Sequence, residues 1–339
     1  MTIIHNRKKI GIVLPVFNDW EAFTQLLAQL GEQADLRKND LHVFAVDDGS
    51  SEPADTAALI VRKGMLSDLR VIRLACNLGH QRAIAVGLVE ASKISEIDAV
   101  VVMDSDGEDP PHAVAKLIAA WEKLPSHIVV ASRGQRLESF TFRLFYSIYK
   151  RIFRIMTGEL VNFGNFCLMP QRALKALVHN PAIWNNLAAA IVRSRIPYTE
   201  IRINRGPRLA GRSRLSLVGL AVHGLSAISV YTDIVLMRTI LAACFLGGLA
   251  ILGLITVVAI RFGTDWAIPG WATYVAASLI IILVQVILLV GVALFQLLSF
   301  RSLKPFIPAS DANSFVVDDA STLTSRREES SPMRDRQRR

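Results

Sequence analysis

Ala99-Val100-Val101-Val102-Met103-Asp104-Ser105-Asp106-Gly107-Glu108-Asp109-Pro110-Pro111 is the stretch on which the fold turns. Its opening residues are apolar and mostly β-branched, without the alternation of a half-exposed strand, so they read as a strand buried on both faces. The run stops at Asp104. Four carboxylates follow within six residues, closed by two prolines that cannot continue a strand. Carboxylates crowded in this way repel one another unless something positive sits among them. A divalent cation with oxygen ligands meets that need. A plainer reading makes the stretch a polar turn, with Asp109 as a helix N-cap and Pro110 at the first helical position. It accounts for Asp109 and the prolines but leaves Asp104 and Asp106 unexplained.

The same punctuation recurs on either side. Ile10–Phe17 reads as a first buried strand, followed by Asn18-Asp19 and a helix from Trp20 to Leu30. Leu41–Val46 is a second strand, ending in Asp47-Asp48-Gly49-Ser50-Ser51. A helix over Ala54–Lys63 and a strand over Leu69–Leu74 come next. Asn77-Leu78-Gly79-His80-Gln81-Arg82 then opens a helix that runs to about Ser92. Beyond the central stretch, a helix from Pro111 to about Lys123 leads to a strand, Ile128–Ala131, ending at Ser132-Arg133-Gly134. Strands alternating with helices predict an α/β fold with a mostly parallel sheet covered on both faces. Ligands of such sheets sit outside the carboxyl ends of the strands. Asp19, Asp47, Asp48, His80, Arg82, Asp104, Asp106 and Arg133 all follow strand ends. No Gly-x-Gly-x-x-Gly follows the first strand and there is no P-loop, which removes the main support for dinucleotide or ATPase chemistry.

The second half of the chain is different. Phe140–Met156 is a basic aromatic helix, with Phe142, Phe145, Tyr146, Tyr149, Ile152, Phe153 and Met156 on one face and Arg143, Lys150, Arg151 and Arg154 mostly on the other. That pattern suits a helix lying in a membrane interface, or one covering the core. Leu160–Pro170, with Gly164-Asn165-Phe166, reads as a strand near the site. Helices follow over Pro170–His179 and about Ile183–Arg193, and then a strand over Pro197–Arg205. Arg205, Arg208, Arg212 and Arg214 crowd the next loop. Leu215–Asp233 carries a narrow polar stripe that includes His223, as expected of a helix resting on lipid. Thr239–Ile260 and Tyr274–Phe300 are uncharged, and at about 1.5 Å per residue each is long enough to cross a bilayer. Arg238, Arg301 and Lys304 flank the outer ends and only Arg261 lies between the spans. The positive-inside rule then predicts an integral membrane protein, with the large domain and both termini cytoplasmic, as in a bacterial inner membrane. The expected organisation is a catalytic domain over 1–213, including the helix 140–156, an interfacial helix over 214–235 and two spans within 236–301. A polar tail over 302–339 is expected to be disordered.

Composition agrees. The chain has 339 residues, 52% of them hydrophobic, and a formal charge of +9, with a mean hydropathy of +0.37. Beside long apolar segments, positive charge fits an anionic bilayer and phosphorylated substrates better than nucleic acid. Cys76, Cys167 and Cys244 are far apart, with neither metal-type nor disulfide-type spacing, which suits a reducing compartment. The polar, basic N-terminus before a strand-length apolar run is not a signal peptide.

In order, Pro15-Val16-Phe17-Asn18-Asp19, Asp47-Asp48-Gly49-Ser50, Asn77-Leu78-Gly79, Asp104-Ser105-Asp106 and Glu108-Asp109-Pro110-Pro111 resemble the family 2 glycosyltransferases of the GT-A fold. Within them the pattern is most similar to the polyisoprenyl-phosphate group, the dolichol-phosphate mannose synthases and bactoprenol glucosyltransferases. The resemblance spans roughly residues 8 to 235, and the paired spans match the bactoprenol type. It implies a nucleotide-sugar donor (UDP- or GDP-sugar), a polyprenyl phosphate acceptor and Mg²⁺ or Mn²⁺. It implies that Asp19 and Asp48 hold the nucleotide, with Pro15 and Phe17 in the same strand-end motif and Asn77, His80 and Arg82 in or beside the loop motif after the third strand. It further implies that Asp104 and Asp106 serve ribose and metal, while Glu108 and Asp109 face the sugar or acceptor.

Charge supports the same allocation. A metal bridging the diphosphate offsets the negative charge that builds on the leaving group. Arg133, Arg205 and Arg208 are suited to clamping phosphates. A lipid phosphate, with a second pKa of roughly 6, is already ionised and hardly needs a strong base. Asp109 is then an orienter more than an obligatory proton acceptor, and the expected reaction is one in-line displacement with inversion. The chain departs from the family's usual residues at Asp19 (usually Glu), His80 (Lys), Glu108 (Gln) and Asn165 (Asp), which bears on acceptor choice and metal dependence. The Gln-x-x-Arg-Trp signature of processive synthases is absent around Trp184, favouring single transfer. A glycolipid or diacylglycerol acceptor, or a non-catalytic nucleotide-sugar-binding membrane protein, are the alternatives. Interfacial helices and paired spans are compatible with a homo-oligomer.

Overall fold

The computed structural model describes residues 7–52, 54, 58–59, 66–133, 140–211, 217–264 and 270–318. Arg212, Arg214, Gly134 and most of the expected helix over 54–63 lie outside these residues. So does the side chain of Arg133.

The central apolar run forms a strand, β4, over Ala99–Val102, with all four residues buried. The others are β1 (Lys9–Val16), β2 (Asp40–Asp47), β3 (Asp68–Leu74), β5 (Ile128–Arg133), β6 (Phe163–Pro170), β7 (Tyr198–Ile203) and β8 (Val316–Asp318). They make one sheet in the order β7-β5-β6-β4-β1-β2-β3-β8. β1 runs parallel to β2 and to β4, with Ile10 opposite Ala99 and Val13 opposite Val102. β3 and β7 also run parallel to their neighbours β2 and β5. β6 is antiparallel to both β4 and β5. The sheet is therefore mixed, and the reversal matters for function. A parallel strand would bring its end to the carboxyl edge, whereas β6 brings its beginning there, placing Phe163 opposite Ser132 and Asn165 beside the site.

Residues alternate between the two faces of the sheet. Val13, Val46, Val100 and Val102 pack against Ala83, Ile84 and Val86 of helix α2 (His80–Ser92). Ile12, Leu14, Val43 and Val101 pack against Phe23, Leu27 and Leu117, which lie on helices α1 (Trp20–Glu32) and α3 (Pro111–Lys123). α2 lies so close to the sheet that a Cβ at Gly87 would stand 2.4 Å from Val13 Cγ1.

Disorder from residue 302 onward is corrected for 308–318. Pro308–Asp311 is a helical turn, and β8 pairs antiparallel with β3, Leu74 opposite Val316. Phe306 and Phe315 stack on Trp184, with ring centroids 4.2 and 5.5 Å away. A few apolar residues in a polar tail suffice here, because they cover a sheet edge whose backbone groups would otherwise be left unpaired.

The chain divides into two compact units: Met1–Glu138 with Val161–His223 and Phe306–Arg339, and Ser139–Leu160 with Gly224–Pro305. The second is helical. The basic aromatic helix Phe140–Thr157 falls in this second unit and not with the sheet. From Ser147 onward its apolar residues are split between buried and exposed positions. Phe153 is buried edge-on against Tyr231, while Ile148, Ile152 and Ile155 are exposed. The helix with the polar stripe ends at Ser229, and after the buried pair Val230-Tyr231 a new helix starts at Thr232. Thr232–Gly263 and Trp271–Ser302 are 32 residues each, longer than the apolar runs they contain, and apolar enough to cross a bilayer. They pack antiparallel, with Gly247 against Val286 and Gly253 against Leu279.

Candidate active site

The carboxylates converge at the carboxyl edge of the sheet. The chain leaves β4 at Met103 and turns through Asp104–Asp109, with Gly107 at φ +83°. Asp109 is buried, and its Oδ2 accepts the Asp104 amide at 3.0 Å. It ties the turn together rather than capping α3, whose N-cap is Pro110. Asp106 Oδ1 accepts the Glu108 amide at 2.9 Å.

The loop after β7 lies across this turn. Gly206 N donates to Glu108 O at 2.8 Å and Leu209 N to Asp106 O at 2.9 Å. Leu209 fills the space at Gly107, where a Cβ would stand 2.4 Å from Leu209 Cγ. The backbone contacts deliver two arginines. Arg208 Nη2 lies 2.8 Å from Asp19 Oδ2 and its Nη1 3.1 Å from Asp106 Oδ2, so one guanidinium joins the ends of β1 and β4. Arg205 pairs with Glu108 and approaches Asp104 Oδ2 at 3.8 Å. Burial raises the Asp106 pKa, Asp104 adds to the rise, and Arg208 and Arg205 oppose it.

Asp48 orders the backbone of a neighbouring loop. Its two oxygens accept the amides of Leu78 and Gly79 at 2.7 and 3.0 Å, locking the loop that opens α2. Burial raises its pKa against the pull of those two bonds. Gly49, at φ +71°, lets the chain pass that loop, since a Cβ there would stand 2.7 Å from Asn77 N. Asn77 is exposed, Pro15 is buried in β1 and Phe17 is partly exposed at its end. Arg82 stands over the Trp184 ring, 5.7 Å from its centroid, and not among the carboxylates. His80 Nε2 lies 3.3 Å from Asp104 Oδ1 and 3.1 Å from Asn165 Nδ2. Burial works against charge on His80, but Asp104 outweighs it and the pKa is raised. A cleft beside these groups is lined by Asp104, Asp109, Asn165, Phe166, Arg205 and His223. The residue that sequence reasoning missed is Gln81, which holds Asn165. Its two partners are 84 and 106 residues away, so no local signal marks it.

Carboxylates suit a hard divalent cation, and Asp104 and Asp106 are of that chemistry. Among the described residues no three acidic, His or Cys side chains form a ready cage, so ligands from the substrate would have to complete the sphere.

Residues 11–178 match the sequence model described as Glycosyl transferase family 2. The chain carries a family 2 glycosyltransferase domain. It is therefore an enzyme domain of the glycosyltransferase class, on a mixed α/β sheet. The chain is 27% identical over 278 residues to "Uncharacterized glycosyltransferase YkcC" of Bacillus subtilis, covering 80% of this chain and 83% of that protein. It is 25% identical to "Uncharacterized glycosyltransferase sll0501" of Synechocystis, covering 82% and 87%. Among solved structures it is similar to glucosyl-3-phosphoglycerate synthase from Mycobacterium tuberculosis in complex with Mn²⁺ and UDP-glucose. That likeness has a TM-score of 0.48 and 16% identity, over 68% of this chain and 79% of that one.

Proposed function

We propose that this enzyme moves one sugar from a nucleotide-sugar donor to a polyprenyl phosphate at a membrane surface, with inversion at the anomeric carbon. The observation that carries the reading is the meeting of Asp104, Asp106, Arg205 and Arg208 at one sheet edge, in a chain that also holds two bilayer-length apolar helices. Those helices and their flanking arginines support two spans with the sheet domain on the cytoplasmic side. A long lipid acceptor would then present its phosphate at the surface.

Asp104 and Asp106 would hold the cation together with donor oxygens. When bound, a divalent cation offsets the charge that develops on the leaving diphosphate. Asp106 is shared with Arg208, so that guanidinium must exchange a carboxylate for the donor phosphates, which it can meet bidentately. Arg205 stands between Asp104 and Glu108 and can make the same exchange. Asp109 keeps the turn in shape through the Asp104 amide. The acceptor phosphate is ionised near neutral pH, so no strong general base is required.

The test incubates the detergent-solubilised full chain with labelled UDP- and GDP-sugars, polyprenyl phosphate and Mn²⁺ or Mg²⁺. Lipid-linked product is expected from wild type. Asp106→Ala is expected to lower the rate by about 100-fold or more, as loss of a metal ligand should. Equal product from Asp106→Ala would overturn the metal assignment. Transfer to a glycolipid or diacylglycerol in place of polyprenyl phosphate would overturn the acceptor. Arg208→Ala should tighten Mn²⁺ binding to the donor-free protein, read by electron paramagnetic resonance, while raising the donor KM.

A further inference from the structure

The tail segment that closes the sheet edge also grips both ends of the loop that opens α2. β8 lies beside β3, with Leu74 opposite Val316. One residue earlier, Phe315 O accepts the Ala75 amide at 2.8 Å. At Ala75 the chain leaves β3 for Cys76-Asn77-Leu78-Gly79. The Phe315 ring packs on Trp184, 5.5 Å between centroids, and Phe306 packs on the same indole at 4.2 Å. Arg82, in the first turn of α2, stands 5.7 Å from the centroid of that indole. The far end of α2 is tied as well. Lys93 Nζ donates to Asn313 Oδ1 at 3.0 Å and to Glu90 Oε1 at 2.6 Å. Asp48 takes the Leu78 and Gly79 amides, and His80, where the loop ends, lies 3.3 Å from Asp104. The loop is therefore held by Asp48 within and by the tail at its two ends. An edge strand of three residues has too few ladder bonds to hold itself in place. Ring packing must seat it, and aromatic pairs at these separations, with a guanidinium within about 6 Å of an indole, are favourable.

We propose that Phe315 is a positioning residue for the donor: its ring seats β8 on Trp184, its carbonyl pins Ala75, and together they keep residues 76–79 in the shape that receives the nucleotide. The donor role rests on the proposed function of the site; the hold on the loop does not. Phe315 acts through Ala75 and Trp184.

Phe315→Ala tests it in the detergent-solubilised full chain, because the substitution keeps the carbonyl and removes only the ring. Hydrogen exchange read by mass spectrometry is expected to quicken about tenfold in peptides spanning 76–82, with β1 and β4 unchanged. The donor KM is expected to rise about fivefold with kcat nearly unchanged, the pattern of weakened ground-state binding. Phe315→Tyr keeps the ring stack and should restore both. Val317→Ser, at an exposed position of the same strand, should alter neither. Should Phe315→Ala fail to fold, Phe306→Leu thins the same stack and should move both readings the same way by less. Wild-type exchange over 76–82 in the folded variants overturns the proposal. So does exchange raised equally across the whole sheet, the mark of a merely structural tail. A faster loop with an unchanged donor KM overturns the donor role. The exchange needs no substrate. Wild type that binds no nucleotide-sugar would therefore overturn the proposed function, while exchange still decides whether Phe315 holds the loop.

Discussion

The sheet unit and the paired long helices are built from the same kinds of residue and treat them in opposite ways. In β4, Val100, Val101 and Val102 have no exposed surface. In the helices, Phe245, Ile287 and Phe295 are 70%, 69% and 72% exposed. The difference lies in what can cover them. A four-residue strand is short enough to be enclosed by neighbouring strands and by helices on both faces. A 32-residue helix that is apolar all round can bury only one stripe against a single partner, and the remainder is left exposed. Hydrophobicity alone does not separate a core from a membrane segment; the length of the run and the number of available partners do.

A lysine separates the two regions most sharply. Val101→Lys, which places a charge at the centre of the sheet, should leave the sheet domain unfolded, as judged by loss of its cooperative melting transition. Ile287→Lys should leave helix content unchanged in detergent and weaken membrane insertion by about 3 kcal/mol, read in a glycosylation-based insertion assay. Should Ile287→Lys also unfold the protein in detergent, the long helices are packed as a core and the comparison fails.

A single methyl group gives a smaller contrast. Gly87→Ala would force a Cβ to within 2.4 Å of Val13 Cγ1, and should cost about 1–3 kcal/mol in urea unfolding. Gly248→Ala meets nothing within 4 Å and should be neutral or slightly stabilising, by up to about 1 kcal/mol, in thermal unfolding in detergent.

The cysteines sharpen the comparison without changing stability. Burial, with a contribution from Asp109, pushes the Cys167 thiol up to about 12. At pH 8 Cys167 should stay unmodified by maleimides, whereas exposed Cys76 should react with a water-soluble reagent. Cys244, exposed on its long helix, should react in vesicles only with a lipid-soluble reagent.

Much of the sheet and half of the site were legible in the residues. The apolar runs predicted strands at the places where β1 to β5 stand, because periodicity and abrupt polar stops are local properties. The carboxylates at strand ends were legible for the same reason. The reversal of β6 was not, since strand direction depends on how the intervening chain returns. Nor was the work of Asp48, a motif residue whose oxygens are taken by the amides of a loop 30 residues away. The tail was misread because averaged composition hides the few apolar residues that settle on a sheet edge.

The sequence by itself determined that this chain has an α/β domain with acidic strand ends, and that it carries two segments long and apolar enough to cross a bilayer. Both follow from the local order of polar and apolar side chains. Only the tertiary structure decided that Arg208 joins Asp19 to Asp106, that Arg205 reaches Glu108, and that Gln81 holds Asn165 beside His80. These contacts span roughly 85 to 190 residues. They exist because strand order and one antiparallel strand bring distant loops to the same edge, where electrostatic attraction and hydrogen-bond polarity select the partners.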